Sequence, residues 1–281
     1  MTTQASDQDD ATAIDQVDAF CDAIPRRLAR AEAHGPLVLF VSESQGGGGP
    51  GWPYYARPRR GTRETITAAH VREVRARQRQ LGVPESFEWI AQTVPGLART
   101  ATAAGLDVAA HPLMISQTLV AAPELAAWFT VREVPPDEPD LASVVAVPDV
   151  AFGHPGTSPG SPGPAERDKL AAERDPASLE RLRHLLASGH SVLAAAFGDE
   201  GPLAAGSCQR VNGVAEITGV GTLPSARRCG LGAAVTARLA ALAFGRGAHT
   251  VFLSASDDEV ARIYAGIGFR RIGTAMIAEP R

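Results

Sequence analysis

Val220-Gly-Thr-Leu-Pro-Ser-Ala-Arg-Arg-Cys-Gly-Leu-Gly-Ala233 is the stretch on which the reading of this chain turns. A strand-like start breaks at Pro224 and turns through two arginines and two glycines. It leads into Leu231, Val235, Leu239 and Leu242, which recur on one face of a helix. A strand that turns straight into a helix directs several backbone N–H groups at one point, and the positive end of the helix dipole adds to them. Such a turn suits an anion. Gly230 and Gly232 keep side-chain carbons away, so a group as large as a pyrophosphate can approach the backbone. Neither G-x-x-x-x-G-K-[ST] nor G-x-G-x-x-G occurs in this stretch, which leaves a phosphate-bearing ligand other than those of the two common nucleotide loops.

Outward from that turn, strands are predicted at Ser191–Phe197, Leu203–Arg210 and Val214–Leu223. A helix follows from about Gly232 to Phe244, then a strand at Thr250–Ser256, a helix at Glu259–Gly266 and a last strand at Arg270–Ile277. Upstream lie a strand at Trp128–Val134, a short helix at Leu141–Phe152, the Gly/Pro loop Gly153–Pro164 and a charged helix at Ala165–Ala187. Tightly turned antiparallel strands followed by a strand–helix–strand crossover predict an α+β or mixed α/β sheet. In the first half, Ile14, Val17, Phe20, Cys21, Ile24 and Leu28 mark a helix that ends by His34-Gly35-Pro36. An apolar run at Leu37–Val41, a Gly/Pro loop at Gly46–Pro58 and an amphipathic helix at Thr67–Leu81 follow. The pattern resets between Ala122 and Phe129, which puts a boundary near residue 127 and divides the chain into 1–127 and 128–281.

Composition narrows the function. Of 281 residues, 44% are hydrophobic and 21% charged, the usage of a soluble globular protein, and the length favours two compact domains over one. Twenty-seven Lys+Arg against 31 Asp+Glu leave a net charge of −4, which offers no broad cationic face to nucleic acid or to an anionic membrane. Cys21, Cys208 and Cys229 form no C-x-x-C pair, and no H-E-x-x-H is present, so neither a disulfide framework nor a metal site is expected. The acidic start and the lack of a run of about 20 apolar residues argue against export or membrane insertion and for a cytoplasmic protein.

Arg227-x-x-Gly230-x-Gly232 after a strand resembles the acyl-CoA loop of the GCN5-related N-acetyltransferases, the GNAT superfamily. Ala261-Arg-Ile-Tyr-Ala-Gly-Ile-Gly-Phe269 on the next helix resembles the same family's A-x-x-x-Y-x-x-x-G-F signature, one residue shorter before the tyrosine. The resemblance covers about Trp128 to Arg281 and implies the GNAT fold, a twisted sheet splayed to admit the pantetheine arm of acetyl-CoA as co-substrate, with no metal. It implies that the backbone of Val220, Gly221 and Thr222 pairs with pantetheine and that Arg227, Arg228, Cys229, Gly230, Leu231 and Gly232 cradle the pyrophosphate. Arg228 fits either an ion pair to a phosphate or a solvated side chain, and Cys229 serves through its backbone. Glu216, eleven residues before Arg227, stands at the spacing of the general base in the histone-acetyltransferase branch. Period two puts it on the strand face of Val220 and Thr222. The same residue also fits a carboxylate paired with a neighbouring strand's arginine. Tyr264 matches the tyrosine that protonates the departing sulfur, and it also fits a core aromatic. Asp257 reads as the cap of the helix that follows it.

A shift of 163 residues lays Ala98–Leu106 without gaps over Ala261–Phe269, Phe87–Ile90 over Thr250–Leu253, and Ala69–Leu81 over the helix after the phosphate loop. The first half therefore resembles a second, degenerate GNAT lobe. Glu64, Thr67, Ala69 and Ala101 fall at the places of Arg227, Gly230, Gly232 and Tyr264, so no acyl-CoA binding is expected there. Trp52-Pro-Tyr-Tyr55 reads as an aromatic edge or a ligand-facing patch. The expected activity is acetyl transfer from acetyl-CoA to an amine by direct transfer in a ternary complex. The alternative is a non-catalytic acyl-CoA sensor or scaffold. The acceptor is a small molecule or peptide, bordered by the loop that carries His154, and the oligomeric state stays open, a homodimer included.

Overall fold

A computed structural model describes residues 2–27, 29–42 and 55–281. In chain order the elements are α1 (Thr2–Ala23), β1 (Ala29–His34), β2 (Leu37–Ser42), β3 (Ala56–Pro58), α2 (Ala68–Leu81), β4 (Phe87–Ile90), α3 (Leu97–Ala103), β5 (Leu106–Ser116), β6 (Thr130–Val134) and α4 (Leu141–Phe152). They continue as α5 (Pro164–Ala172), α6 (Pro176–Ala187), β7 (Ser191–Gly198), β8 (Gly201–Val211), β9 (Val214–Thr222), α7 (Leu231–Gly245), β10 (Thr250–Ser254), α8 (Asp258–Gly266) and β11 (Arg270–Pro280). Two compact units result, one of residues 1–113 with 254–256 and 271–281, the other of 114–253 with 257–270. Most of the Gly46–Pro58 loop, Trp52 to Tyr54 included, lies outside the described residues.

In the first unit the strands lie in the order β1-β2-β3-β4-β11-β5. The helix expected to run on to His34 stops at Ala23. Pro25 disfavours helical backbone at the residue before it, and Ala29–His34 instead pairs antiparallel with the apolar Leu37–Ser42. The last strand, read from sequence as part of the second half, pairs antiparallel with β4, Ile277 opposite Glu88, and so completes the first unit. Val71 and Val74 of α2, Leu97 and Ala101 of α3, and Phe87, Trp89 and Leu106 of the strands bury one core.

The first unit also buries charge. Arg57 is 1% exposed; its Nη2 donates to Asp18 of α1 at 2.5 Å, while Nε and Nη1 have no partner among the described residues. Glu88 lies one residue beyond the Ala56–Phe87 pair of β3 and β4. Burial pushes its carboxyl up to about 7, and Glu279 adds to the shift while Arg57 opposes it. The unfolded chain's glutamate titrates near 4.3, so between about 4.3 and 7 the native state holds the extra proton, and stability falls as pH rises through that window. Glu88→Gln is therefore expected to raise the melting temperature at pH 8, by up to about 4 kcal/mol of stability, and to leave it unchanged at pH 4. Melting curves of both proteins across that range check it; a gain of equal size at pH 4 would sink the assignment.

In the second unit the order is β10-β9-β8-β7-β6, with β9 and β10 parallel and the other pairs antiparallel. Val144, Val147 and Val150 of α4 pack with Leu182 and Leu186 of α6 on Leu193, Ala195 and Ala205 of one face. The charged helix expected over 165–187 is two helices. Asp175 accepts from the amides of Ala177 and Ser178 and caps α6, whose first residue is Pro176.

The 163-residue repeat holds element by element. α2 and α7 start at Ala68 and Leu231, β4 and β10 at Phe87 and Thr250, and α3 and α8 end at Ala103 and Gly266. Both halves of the chain run through the same strand–helix–strand–helix–strand succession, β3-α2-β4-α3-β5 and β9-α7-β10-α8-β11.

Candidate functional site

The phosphate-type loop joins β9 to α7. Pro224–Ala226 forms a single 3-10 turn, Ala226 N–H donating to Leu223 O at 2.8 Å. Arg228 has φ +66° and Gly230 φ +76°, left-handed values that fold the chain back on itself ahead of the helix. The amides of Arg228, Cys229, Gly230, Leu231, Gly232 and Ala233 have no acceptor among the described residues. The last three follow from helix geometry, since the first turn of any helix lacks acceptors. The result is a run of donors without acceptors at the positive end of a helix, an arrangement suited to an anion.

Arg227 and Arg228 spend their side chains on the loop after α4. The Arg227 guanidinium donates to Ala151 O at 3.1 Å, His154 O at 2.6 Å and Ser158 O at 3.1 Å. Partial burial against these neutral carbonyls lowers its pKa from the usual arginine value. Arg228 donates to Thr157 O at 3.1 Å, to Thr157 Oγ1 at 2.9 Å and to Glu259 of α8 at 3.3 Å. Two backbone bonds complete the seam, Gly160 N–H to Pro224 O and Ser225 N–H to Pro162 O, both 3.0 Å. The loop carrying His154 is thus fastened to the anion site, and these anchors hold a non-glycine residue at a positive φ.

β9 provides the next part. Ser207 of β8 stands opposite Thr218 and Ala205 opposite Gly221, so Gly219 and Val220 together face Gly206. Gly219, at φ +63°, makes the bulge. The expected common face of Glu216, Val220 and Thr222 is therefore reversed: one extra residue inverts the alternation. Glu216, Thr218 and Gly221 share the α4 face, where a Cβ on Gly221 would lie 2.8 Å from Ala151 Cβ. Val220 and Thr222 point to the α7 face, where a Cβ on Gly206 would meet Val220 Cγ2 at 2.9 Å and Leu239 Cδ1 at 3.2 Å.

β10 pairs with β9 only at Val214, Ala215 and Glu216. From Ile217 to Thr222 the facing edge of β9 makes no ladder with it. Buried Glu216, 8% exposed, stands where the strands part. Its neighbour Cys208 is pushed up to about 12, first by burial and then by the Glu216 carboxylate, and stays an inert thiol.

Tyr264 comes from α8. It is 9% exposed, its ring meets Phe269 edge-on with centroids 6.2 Å apart, and its hydroxyl bonds to Thr236 of α7. Burial pushes the phenol up to about 12, so it keeps its proton at neutral pH. Thr236, fully buried, also donates to Gly232 O at 2.9 Å, which ties the phenol to the first turn of α7. Asp257 accepts Val260 N–H at 2.9 Å and caps α8, the role read for it from sequence.

Sequence reasoning did not find Thr236, Thr157 or Glu259. Thr236 stands one helical turn after Gly232, a visible spacing, but its partner is 28 residues away on another helix. It also missed Pro123 and Leu125: a Cβ on Gly230 would lie 3.3 Å from Leu125 Cδ2 and 3.8 Å from Pro123 Cγ. Among the described residues no cluster of His, Cys, Asp or Glu is arranged to hold a metal, and no helix is long and apolar enough to cross a membrane.

Residues 162–269 match the acetyltransferase (GNAT) family. A GCN5-related N-acetyltransferase from Kribbella flavida is similar in structure, with 24% identity, a TM-score of 0.69, and 95% of this chain and 96% of that chain covered. A GCN5-related N-acetyltransferase from Sphaerobacter thermophilus, 17% identical, covers 86% of this chain and 76% of its own with a TM-score of 0.55. A tandem GNAT protein from the clavulanic acid biosynthesis pathway, 15% identical, covers 86% and 77% with a TM-score of 0.53. No curated protein matches in sequence. The shared architecture extends over both units, so the N-terminal half is GNAT-like in fold as well.

Proposed function

From a chain that carries a GNAT acetyltransferase domain at residues 162–269, we infer an N-acyltransferase that moves an acetyl group from acetyl-CoA to an amine within a ternary complex. The observation that carries this is the run of amides from Arg228 to Ala233 without acceptors, beside the unpaired edge of β9.

Each step asks for something these residues offer. The amides of Arg228, Cys229, Gly230, Leu231 and Gly232, with the Arg227 cation beside them, suit a pyrophosphate. The backbone of Val220, Gly221 and Thr222 suits a pantetheine amide run added as a strand. Glu216 takes the acceptor's proton, since only a neutral amine attacks a thioester. Tyr264 supports the departing sulfur. With its pKa near 12, full proton transfer to a thiolate of ordinary basicity is uphill, so the phenol acts as a hydrogen-bond donor, turning to the sulfur from Thr236, whose own proton goes to Gly232 O. The loop fastened by Arg227 lies on the face that Glu216 shares, where a small-molecule or peptide amine would enter. The reading places this chemistry in the cytoplasm and in the second unit.

Tyr264→Phe tests it in a thiol-release assay over a panel of amines, with acetyl-CoA and longer acyl-CoAs. Turnover is expected to fall about 10- to 100-fold, with the KM for acetyl-CoA little changed. A mutant as fast as the parent removes the assigned donor. Binding of acetyl-CoA without thiol release from any amine favours the sensor or scaffold instead.

A further inference from the structure

The first unit contains a groove of about 660 Å³ between the loop that precedes α2 and the segment that leads into α3. Its size is that of a small-ligand site. Ile66 and Leu97, 8% and 2% exposed, supply an apolar floor together with Val94. Arg63 and Arg99 stand at its rim, exposed, and neither has a partner among the described residues.

Exposed Arg27 and Arg59 of this unit likewise lack a side-chain partner among the described residues, but they do not line this groove, and most other arginines here are neutralised. Arg26, Arg30, Arg57, Arg60, Arg75, Arg77, Arg79 and Arg281 each pair with a carboxylate. The one carboxylate in the groove, Glu64, lies 3.7 Å from His70 Nε2. Arg72, behind α3, donates to Ala103 O at 3.3 Å and brings no negative charge. Two guanidinium groups against the one carboxylate of Glu64 leave an excess of positive charge over an apolar floor, which favours an anion with an apolar body.

We propose that this groove binds a carboxylated or phosphorylated small molecule, its anionic end held by Arg63 and Arg99 and its apolar end on Ile66 and Leu97. The proposal does not depend on the acyl-transfer reading.

Thermal unfolding and calorimetry of the full chain test it, with phenyl phosphate, phenylacetate, inorganic phosphate and coenzyme A as probes. In the parent protein phenyl phosphate or phenylacetate is expected to raise the melting temperature by at least about 2 °C at saturation, and the two probes separate a phosphate from a carboxylate preference. The double variant Arg63→Gln, Arg99→Gln, which alters only exposed side chains, is expected to bind that probe at least tenfold more weakly while keeping its unliganded melting temperature and its coenzyme A protection. Inorganic phosphate, lacking the apolar end, is expected to give no shift. The proposal is overturned if neither aromatic anion binds, if binding survives both substitutions, if inorganic phosphate protects as well as phenyl phosphate, or if the double variant loses coenzyme A protection. Should it not fold, Arg63→Gln and Arg99→Gln singly must each weaken binding, or the proposal fails.

Discussion

If acetyl-CoA is the co-substrate proposed above, it protects the parent protein against thermal unfolding, and Gly230→Trp is expected to abolish that protection while Thr67→Trp, its counterpart in the first unit, leaves it intact. Ligand at a hundred times its dissociation constant stabilises by about 2.7 kcal/mol, so the lost shift is large. Gly230 sits at φ +76°, where any other L-residue is strained by roughly 1–2 kcal/mol. A Cβ there already meets Leu125 Cδ2 at 3.3 Å. An indole has no room on the Leu125 side, so it must turn across the donors that run from Arg228 to Ala233. Gly230→Ala separates strain from blockage, since it carries the strain without covering the amides and should keep most of the protection. Thr67 caps α2 by accepting from His70 N–H, so its replacement lowers the unliganded melting temperature by about 1 kcal/mol of stability without touching the increment from ligand. Equal loss of the increment in both would overturn the division of labour between the units.

The difference between those two positions was legible in the sequence because it depends on residue type: a glycine against a β-branched residue, an arginine against Glu64. The repeat was legible for a related reason. Helix starts and strand starts 163 residues apart are set by local apolar periodicity, which survives even where the chemistry is gone. What could not be read depended on register and on partners far along the chain. One inserted residue at Gly219 moves Glu216 to the opposite face from Val220, and neither residue's identity announces it. The pairing of β11 with β4 joins residues almost 190 positions apart, and alternation in Arg270–Pro280 fits a strand in either unit equally well. The side-chain work of Arg227 and Arg228 was likewise hidden, because their acceptors are carbonyls and a threonine about 70 residues upstream.

The bulge changes what is expected of Glu216, and with it the second large effect. On the α4 face, at the last paired position of β9 and β10, the carboxylate faces the side of the sheet bordered by the loop after α4 rather than the side of α7, where Tyr264 and Thr236 lie. In the proposed reaction the base Glu216 and the hydrogen-bond donor Tyr264 thus stand on opposite faces of the sheet where β9 leaves β10. Glu216→Gln keeps the size and hydrogen-bonding capacity of the side chain and removes only its basicity. Turnover is expected to fall about 10²- to 10⁴-fold, with acetyl-CoA protection unchanged, because the amides proposed to hold the cofactor follow the other end of β9. The gap from the parent enzyme should narrow as pH rises toward the acceptor's own pKa, about 10 for a lysine-like amine, since the amine then arrives already neutral and needs no base. Initial rates of both proteins from pH 6 to 10 decide it. A ratio that stays constant across that range means that Glu216 supports the strand rather than the proton transfer, and a variant as fast as the parent at neutral pH means that the proton leaves through water.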